Sequence, residues 1–117
     1  MQHILYVEDN QPVRDMLAAL LGTDARAVVA VGSAEEALAV LDVQRFDVLI
    51  TDIGLPTMSG IELARRARER QPALWVIVSS GYEWSGGLEA LEPRVAWLRK
   101  PPDIAQLEAL LARIAAE

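Results

Sequence analysis

Three carboxylates in this sequence stand directly after apolar runs of the kind that form buried strands. Glu8 and Asp9 follow the run at residues 4–7, and Asp52 follows the run at residues 48–51. Because parallel strands end at one edge of a sheet, and ligands bind outside that edge, the three acids are expected to share one crevice. Carboxylates crowded in this way repel one another, so a divalent cation with a preference for oxygen ligands, such as Mg²⁺, would stabilise them.

Two further apolar runs end in residues that suit a phosphoryl group. The run at 74–79 is followed by Ser80, whose hydroxyl can donate to a phosphoryl oxygen, and Ser79 is a rival for that role. The run at 94–98 leads to Lys100, the only lysine in the chain. A lysine is a compact point charge, which suits the neutralisation of a phosphoryl group or an acid cluster.

The residues after Asp52 predict a strand end, a tight loop and a helix start. Gly54 lies in this loop, where a glycine lets the backbone approach a ligand closely. Its carbonyl could then serve as a neutral metal ligand. The same residues also suit a bare turn without function.

The composition limits the chemistry that is open to this chain. Its 117 residues, 52% of them hydrophobic, predict a single domain over 1–117 with one sizeable core. With no cysteine and one histidine, any metal must be held by oxygen. The net charge of −6 opposes binding to nucleic acid, and no apolar run reaches the ~18 residues of a membrane span, so we expect a cytoplasmic protein. The arginines of the third helix are interpreted as a solvated surface: Arg65, Arg66, Arg68 and Arg70.

Apolar runs alternate five times with amphipathic segments, which predicts an α/β fold with a doubly wound five-stranded parallel sheet and helices on both faces. The fourth helix is expected to be short, irregular or mobile, because Gly86 and Gly87 delay a regular turn. The predicted strands lie near residues 3–8, 26–31, 47–52, 74–79 and 94–98. The predicted helices lie near residues 11–22, 34–43, 60–70, 84–91 and 104–116. Helix starts are marked by Asn10 and by the capping boxes Ser33 with Glu36, Ser59 with Glu62 and Asp103 with Gln106.

In the order and spacing of its motifs, the chain resembles over its whole length the receiver (CheY-like) domain of two-component response regulators. This resemblance implies a flavodoxin-like strand order, 2-1-3-4-5. It also implies that Asp52 is the phosphoryl acceptor, that Ser80 is the switch hydroxyl and that Lys100 neutralises the phosphoryl group. The implied ligands of Mg²⁺ are Glu8, Asp9, Asp52 and the Gly54 carbonyl. The residues that carry the resemblance are Glu8-Asp9, Asp52, Leu55-Pro56, Gly60, Ser80 and Lys100-Pro101.

The same resemblance implies a signalling phosphoacceptor that assists its own phosphorylation and dephosphorylation and is not otherwise an enzyme. The donor would be a histidine kinase or a histidine phosphotransfer protein. Phosphorylation would switch a protein-binding surface over residues 84–116, which would face a downstream protein target or a missing output domain. The same surface could form a weak homodimer. No direct contact with nucleic acid or a membrane is expected.

Trp97 departs from the family pattern, which has tyrosine or phenylalanine at this position as an aromatic switch. Its ring is larger, and its N–H must find a partner if it is buried. We therefore expect activation to rearrange residues 83–92 more than it rotates Trp97.

Three alternatives share part of this pattern. A phosphatase of the haloacid dehalogenase type also uses a strand-end aspartate with Mg²⁺, but it needs a second acid where this chain has Gly54. A flavodoxin-like electron carrier needs a phosphate loop after its first strand, where Glu8 and Asp9 would repel a cofactor phosphate. The third alternative is a receiver-shaped interaction module that is never phosphorylated. The intact acids, hydroxyl and lysine argue against it.

Overall fold

A computed structural model of the chain describes residues 1–81 and 87–117. Within these residues, strands alternate with helical segments along the chain. The strands are β1 (Gln2–Val7), β2 (Arg26–Val31), β3 (Val48–Asp52), β4 (Trp75–Ser80) and β5 (Val95–Arg99). The α-helices are α1 (Gln11–Leu21), α2 (Ala34–Leu41), α3 (Gly60–Arg70) and α4 (Ile104–Ala115). A 3-10 helix at Glu89–Leu91 lies between β4 and β5.

The strands form one parallel sheet in the order β2-β1-β3-β4-β5. The predicted doubly wound sheet with order 2-1-3-4-5 is therefore confirmed. Helices α1 and α4 bury apolar residues on one face of the sheet, and α2 and α3 do so on the other. Because the order reverses between β1 and β3, the carboxyl ends of these two strands flank the crevice in which such sheets bind ligands.

The α-helices begin at the capping residues that the sequence predicts. Each capping oxygen accepts a hydrogen bond at 3.1–3.2 Å from the N–H three residues further on, and so satisfies a free helix donor. The caps are Asn10, Ser33, Ser59 and Asp103. The reciprocal half of one predicted capping box is absent, because the Glu62 carboxylate bonds Arg65 and Arg66 instead. None of the helices in the described ranges is long and apolar enough to cross a membrane.

The prediction of an α-helix near residues 84–91 is wrong for the part that the structure describes. Residues 84–86 lie outside the described residues, and the remainder holds only the short 3-10 helix. Its N-cap, Leu88, has no side-chain oxygen to satisfy a free N–H. Gly87 has a φ of 86°, a left-handed conformation that glycine adopts without strain. The expected shortness of this element is thus borne out, and its helical type is not.

Side chains alternate between the two faces along each strand, and this alternation places polar groups at the end of the sheet. Ile50 and Ile77 belong to the apolar cluster that α1 and α4 cover. Asp52 and Ser79 come two residues later on β3 and β4, so they project toward the same face. These two residues are also paired neighbours in the β3–β4 register.

Helix α3 begins in direct contact with the end of β3. A Cβ atom at Gly60 would lie 2.0 Å from the carbonyl oxygen of Asp52, which is far inside van der Waals contact. The Gly60 N–H donates to the carbonyl of Ile53 at 2.7 Å. Only a residue without a side chain permits this approach, so Gly60 fixes the position of α3 relative to the predicted phosphoacceptor.

Arg68 connects α3 to the segment that precedes β5. Its guanidinium donates to the carbonyl oxygens of Leu91 at 2.9 Å and Arg94 at 2.7 Å. The interpretation of Arg68 as part of a solvated arginine surface is therefore wrong. The neighbouring Arg65 and Arg66 do lie at the surface, where they pair with Glu62.

Candidate functional site

The three acids predicted from the sequence meet at the carboxyl ends of β1 and β3. One carboxylate oxygen from each of Glu8, Asp9 and Asp52 lies within 4.8 Å of the others. Glu8 is buried, Asp52 is partly buried and Asp9 is exposed. The cluster therefore has a buried side and an open side, and a ligand can approach from solvent.

Lys100 lies against two of these acids. Its Nζ is 2.7 Å from Oδ2 of Asp52 and 3.4 Å from Oε1 of Glu8. Burial alone lowers the pKa of Lys100, but the hydrogen bond and charge of Asp52, followed by the charge of Glu8, outweigh burial and raise it. The ammonium group is therefore charged at neutral pH and balances part of the negative charge.

Glu8 is held in place by contacts that the sequence did not indicate. Its Oε2 accepts a hydrogen bond from the Asn10 N–H at 3.1 Å, and its backbone carbonyl accepts one from Arg14 Nη1 at 2.8 Å. A Cβ atom at Gly32 would lie 2.8 Å from the same guanidinium nitrogen, so the glycine leaves room for Arg14. A basic residue one turn into α1, with a glycine directly after β2, is the only sequence signal for this contact.

Tyr6 is a second residue at the site that sequence reasoning passed over. It is buried on β1, within the apolar run at residues 4–7, and it lines the same cavity as Asp52 and Lys100. Burial, followed by the negative charges of Glu8 and Asp52, raises the pKa of the Tyr6 hydroxyl above its usual value. The hydroxyl is therefore neutral at physiological pH.

Gly54 lies in open space beside the phosphoacceptor candidate. Its N–H donates to Oδ1 of Asp52 at 3.4 Å, and a Cβ atom at this position would meet no atom within 4 Å. No contact within the described residues therefore requires a glycine at position 54. The role of its carbonyl as a metal ligand stays a prediction.

The two serines at the end of β4 differ in their surroundings. Ser80 is buried, and its carbonyl accepts a hydrogen bond from the Lys100 N–H at 2.8 Å. Ser79 lines the cavity that Asp52 and Lys100 also line. Its buried hydroxyl has no hydrogen-bond partner among residues 1–81 and 87–117. The structure thus brings Ser79 to the same cavity as the acid and the lysine, and the switch role of Ser80 stays a prediction.

Trp97 is partly buried. It packs against an apolar cluster on the face of the sheet that is opposite to the one toward which Asp52 and Ser79 project. The indole N–H is buried and has no partner in the part of the chain that is described. The Arg99 guanidinium lies 5.9 Å from the centre of the ring. Of the residues expected to rearrange on activation, 83–92, residues 83–86 lie outside the described residues. The rearrangement stays a prediction.

Comparison with known families gives one match that spans nearly the whole chain. The family model described as the response regulator receiver domain matches residues 4–112. These residues include every residue of the acid cluster and Lys100.

Curated relatives of known type share about a third of the sequence. The response regulator protein FleR of Pseudomonas aeruginosa is 36% identical over 112 residues, which are 94% of this chain and 24% of that protein. The KDP operon transcriptional regulatory protein KdpE of Escherichia coli is 31% identical over 95% of this chain and 50% of its own length. This chain spans half or less of these two relatives.

Solved structures of the same kind superpose closely. The chemotaxis protein CheY4 of Vibrio cholerae gives a TM-score of 0.85 at 28% identity, with 97% of this chain and 98% of that chain covered. The receiver domain of the hybrid histidine kinase CckA gives a TM-score of 0.81 at 31% identity, with 96% and 97% covered. The similarity therefore extends over the whole sheet and its helices.

Proposed function

Because this chain belongs to the family of response regulator receiver domains, we propose that it accepts a phosphoryl group on Asp52. One observation carries the assignment: Lys100 Nζ lies 2.7 Å from Asp52, whose carboxylate also lies within 4.8 Å of those of Glu8 and Asp9. Glu8 shares these neighbours, but it is buried and its carboxylate lies farther from Lys100 Nζ, at 3.4 Å, whereas Asp52 is partly buried. Incubation with acetyl phosphate and Mg²⁺, followed by mass spectrometry, tests the assignment.

The donor set at this site fits Mg²⁺. Three carboxylates of different exposure supply hard oxygen ligands, and the open side of the cluster leaves room for the waters that Mg²⁺ keeps. We propose that Glu8, Asp9, Asp52 and the Gly54 carbonyl hold it. When bound, the ion would neutralise negative charge on the phosphoryl oxygens.

The proposed reaction is nucleophilic attack by a carboxylate on phosphorus. An oxygen of Asp52 forms a bond to the phosphorus of a phosphohistidine, and the P–N bond breaks with its electron pair passing to the imidazole. Phosphorylation removes the negative charge of Asp52, so the Lys100 ammonium group leaves its ion pair with that carboxylate and binds the charged phosphoryl oxygens instead. The Ser80 hydroxyl then donates to one of those oxygens and holds the protein in the switched arrangement.

The rest of the proposal rests on the family to which the chain belongs. The donor is a histidine kinase or a histidine phosphotransfer protein, and residues 1–117 act as a single receiver domain in the cytoplasm. The surface at 84–116 binds a downstream protein target or an output domain, and a weak homodimer would use the same surface. The chain assists its own phosphorylation and dephosphorylation and has no other enzyme activity.

Asp9→Ala is expected to weaken Mg²⁺ binding roughly tenfold, because affinity for a hard cation depends on the number of carboxylate ligands. Titration with Mg²⁺, followed by tryptophan fluorescence or calorimetry, measures the change. Asp24→Ala is the matched control, since it removes the same charge near Met1, at the amino-end edge of the sheet. Equal affinities in the two variants would move the metal away from this cluster.

The purified protein is expected not to bind DNA at physiological salt. Its net charge is −6, and the exposed arginines of α3 are already paired, Arg65 and Arg66 with Glu62 and Arg70 with Asp42. Binding would therefore release few counterions from DNA, and counterion release would add little to the affinity. Fluorescence anisotropy with labelled duplexes measures this, and sub-micromolar affinity would contradict the prediction.

A further inference from the structure

Arg14 is a charged residue beside the acid cluster that the proposed reaction does not use. Its Nη1 donates to the backbone carbonyl of Glu8 at 2.8 Å, in a hydrogen bond that is partly buried. An arginine near several carboxylates would be expected to pair with one of them, because a guanidinium matches the geometry of a carboxylate. Arg14 makes no ion pair among the described residues, so its bond to a carbonyl calls for a cause.

The carbonyl that Arg14 holds belongs to the peptide group between Glu8 and Asp9. A peptide group is planar, so a bond to its oxygen constrains the directions in which both side chains leave the chain. The Glu8 N–H donates to the Val31 carbonyl, and Glu8 Oε2 accepts from the Asn10 N–H, each at 3.1 Å. The exposed Asp9 carboxylate makes no hydrogen bond within the described part of the chain, so the backbone of this turn sets its direction.

Gly32, directly after β2, leaves the space in which the Arg14 guanidinium lies. A Cβ atom at Gly32 would be 2.8 Å from Arg14 Nη1 and 3.6 Å from its Cζ, and its nearest neighbours would all be side-chain atoms. The φ of Gly32 is not positive, so its backbone conformation does not require a glycine. A methyl group at position 32 would therefore displace the guanidinium and leave the strand in place.

The positive charge of Arg14 acts against the cation that this site is proposed to bind. Burial raises the pKa of Tyr6 most, Glu8 and Asp52 raise it further, and Arg14 lowers it, so the charge of Arg14 acts inside the site. By repulsion alone, Arg14 would weaken the binding of Mg²⁺. Charge and positioning thus predict opposite effects on Mg²⁺ affinity when this side chain is removed.

We propose that Arg14 is a positioning residue for the Mg²⁺ site: it holds the peptide group between Glu8 and Asp9 in the orientation that directs both carboxylates to the metal. This effect outweighs the repulsion of its charge, and Gly32 contributes by leaving room for the guanidinium. Replacement of residues that orient metal ligands commonly lowers metal affinity about 10- to 100-fold. The inference rests on the proposed function, because it takes the acid cluster as a Mg²⁺ site.

Arg14→Met and Gly32→Ala test the proposal in two different ways. The methionine variant removes both the charge and the hydrogen-bond donor, whereas the alanine variant keeps both and displaces the guanidinium. Calorimetric titration with Mg²⁺ is expected to show an affinity roughly tenfold lower in each variant. In the double variant the loss should equal that of Arg14→Met alone, because the added methyl then has no guanidinium to displace.

Gly22→Ala is the matched control for the added methyl. Its Cβ would lie 3.4 Å from the Ala18 carbonyl oxygen at the end of α1, in ordinary contact, and its Mg²⁺ affinity should not change. The rate of labelling by acetyl phosphate gives a second readout. Arg14→Met should be labelled slowly at low Mg²⁺ and come within about twofold of the unmodified rate at saturating Mg²⁺, which a general loss of stability would not produce.

The outcomes separate the possible failures. If the unmodified protein neither binds Mg²⁺ nor takes label on Asp52, the proposed function is wrong and this inference fails with it. Normal binding by the unmodified protein, with equal or higher affinity in Arg14→Met, would overturn the inference alone, and so would losses that add in the double variant. Circular dichroism shows whether each variant is folded. If Arg14→Met does not fold, Gly32→Ala decides, and an unchanged affinity in that variant would overturn the inference.

Discussion

Asp52→Asn is expected to reduce phosphorylation by acetyl phosphate and Mg²⁺ to less than about 1% of the unmodified level, because an amide is a far poorer nucleophile than a carboxylate. Asparagine has nearly the same size and still accepts a hydrogen bond from Lys100, so the surrounding structure should be kept. Intact-mass spectrometry measures the extent of labelling. Peptide mapping of the unmodified protein should find the label on Asp52 alone.

Two controls make this result specific. Asp24→Asn removes a carboxylate at the opposite edge of the sheet and should leave labelling unchanged. Circular dichroism and thermal unfolding should show that Asp52→Asn is folded. If label persists in a folded Asp52→Asn protein, another carboxylate is the acceptor, and Glu8 and Asp9 are the first to examine.

Gly60→Ala is expected to lower the free energy of unfolding by about 3 kcal/mol or more, at the upper end of the effects of overpacking. The added methyl would lie 2.0 Å from the Asp52 carbonyl oxygen and 2.8 Å from its carbonyl carbon. These are backbone atoms of a central strand, so they cannot move aside as a flexible side chain can. Urea denaturation followed by circular dichroism measures the loss.

Gly54→Ala is the matched control for this substitution. A Cβ atom at Gly54 meets nothing within 4 Å, and the residue has no positive φ, so stability should change by less than about 1 kcal/mol. Equal stabilities for the two variants would mean that α3 can withdraw from β3 at little cost. Because Gly60 touches the backbone of Asp52, any folded Gly60→Ala protein should also be labelled more slowly.

The elements that could be predicted from the sequence are those with a local chemical signal. Ser59 marks the start of α3, because a serine oxygen within reach of the Glu62 N–H is a property of four consecutive residues. The convergence of Glu8, Asp9 and Asp52 was predictable for a similar reason, since each stands at the end of an apolar run and parallel strands end together. The family resemblance, which also rests on Leu55-Pro56, Gly60, Ser80 and Lys100-Pro101, is confirmed.

Other features depend on contacts between distant parts of the chain. Whether Ser79 or Ser80 shares a cavity with Asp52 is decided by the register of β4, and a shift of one residue would exchange their faces. The bond from Arg14 to the Glu8 carbonyl likewise depends on two distant segments, and its one sequence signal, a basic residue in α1 with Gly32 after β2, does not name the acceptor. The prediction of an α-helix near 84–91 is wrong because the segment has the length and the flanking strands of a helix in a βαβ unit. The left-handed conformation of Gly87 cannot be predicted from the sequence alone.

The two hydrogen bonds of Arg68 have a consequence for motion. They attach the end of the 3-10 helix, at Leu91, and the residue before β5, Arg94, to one side chain of α3. Displacement of α3 away from this segment breaks both bonds and leaves two carbonyls without their donor, whereas displacement of Leu91 or Arg94 alone breaks one. Local opening that separates α3 from the segment before β5 therefore has to disrupt two hydrogen bonds of one guanidinium, while fraying of either end alone disrupts one.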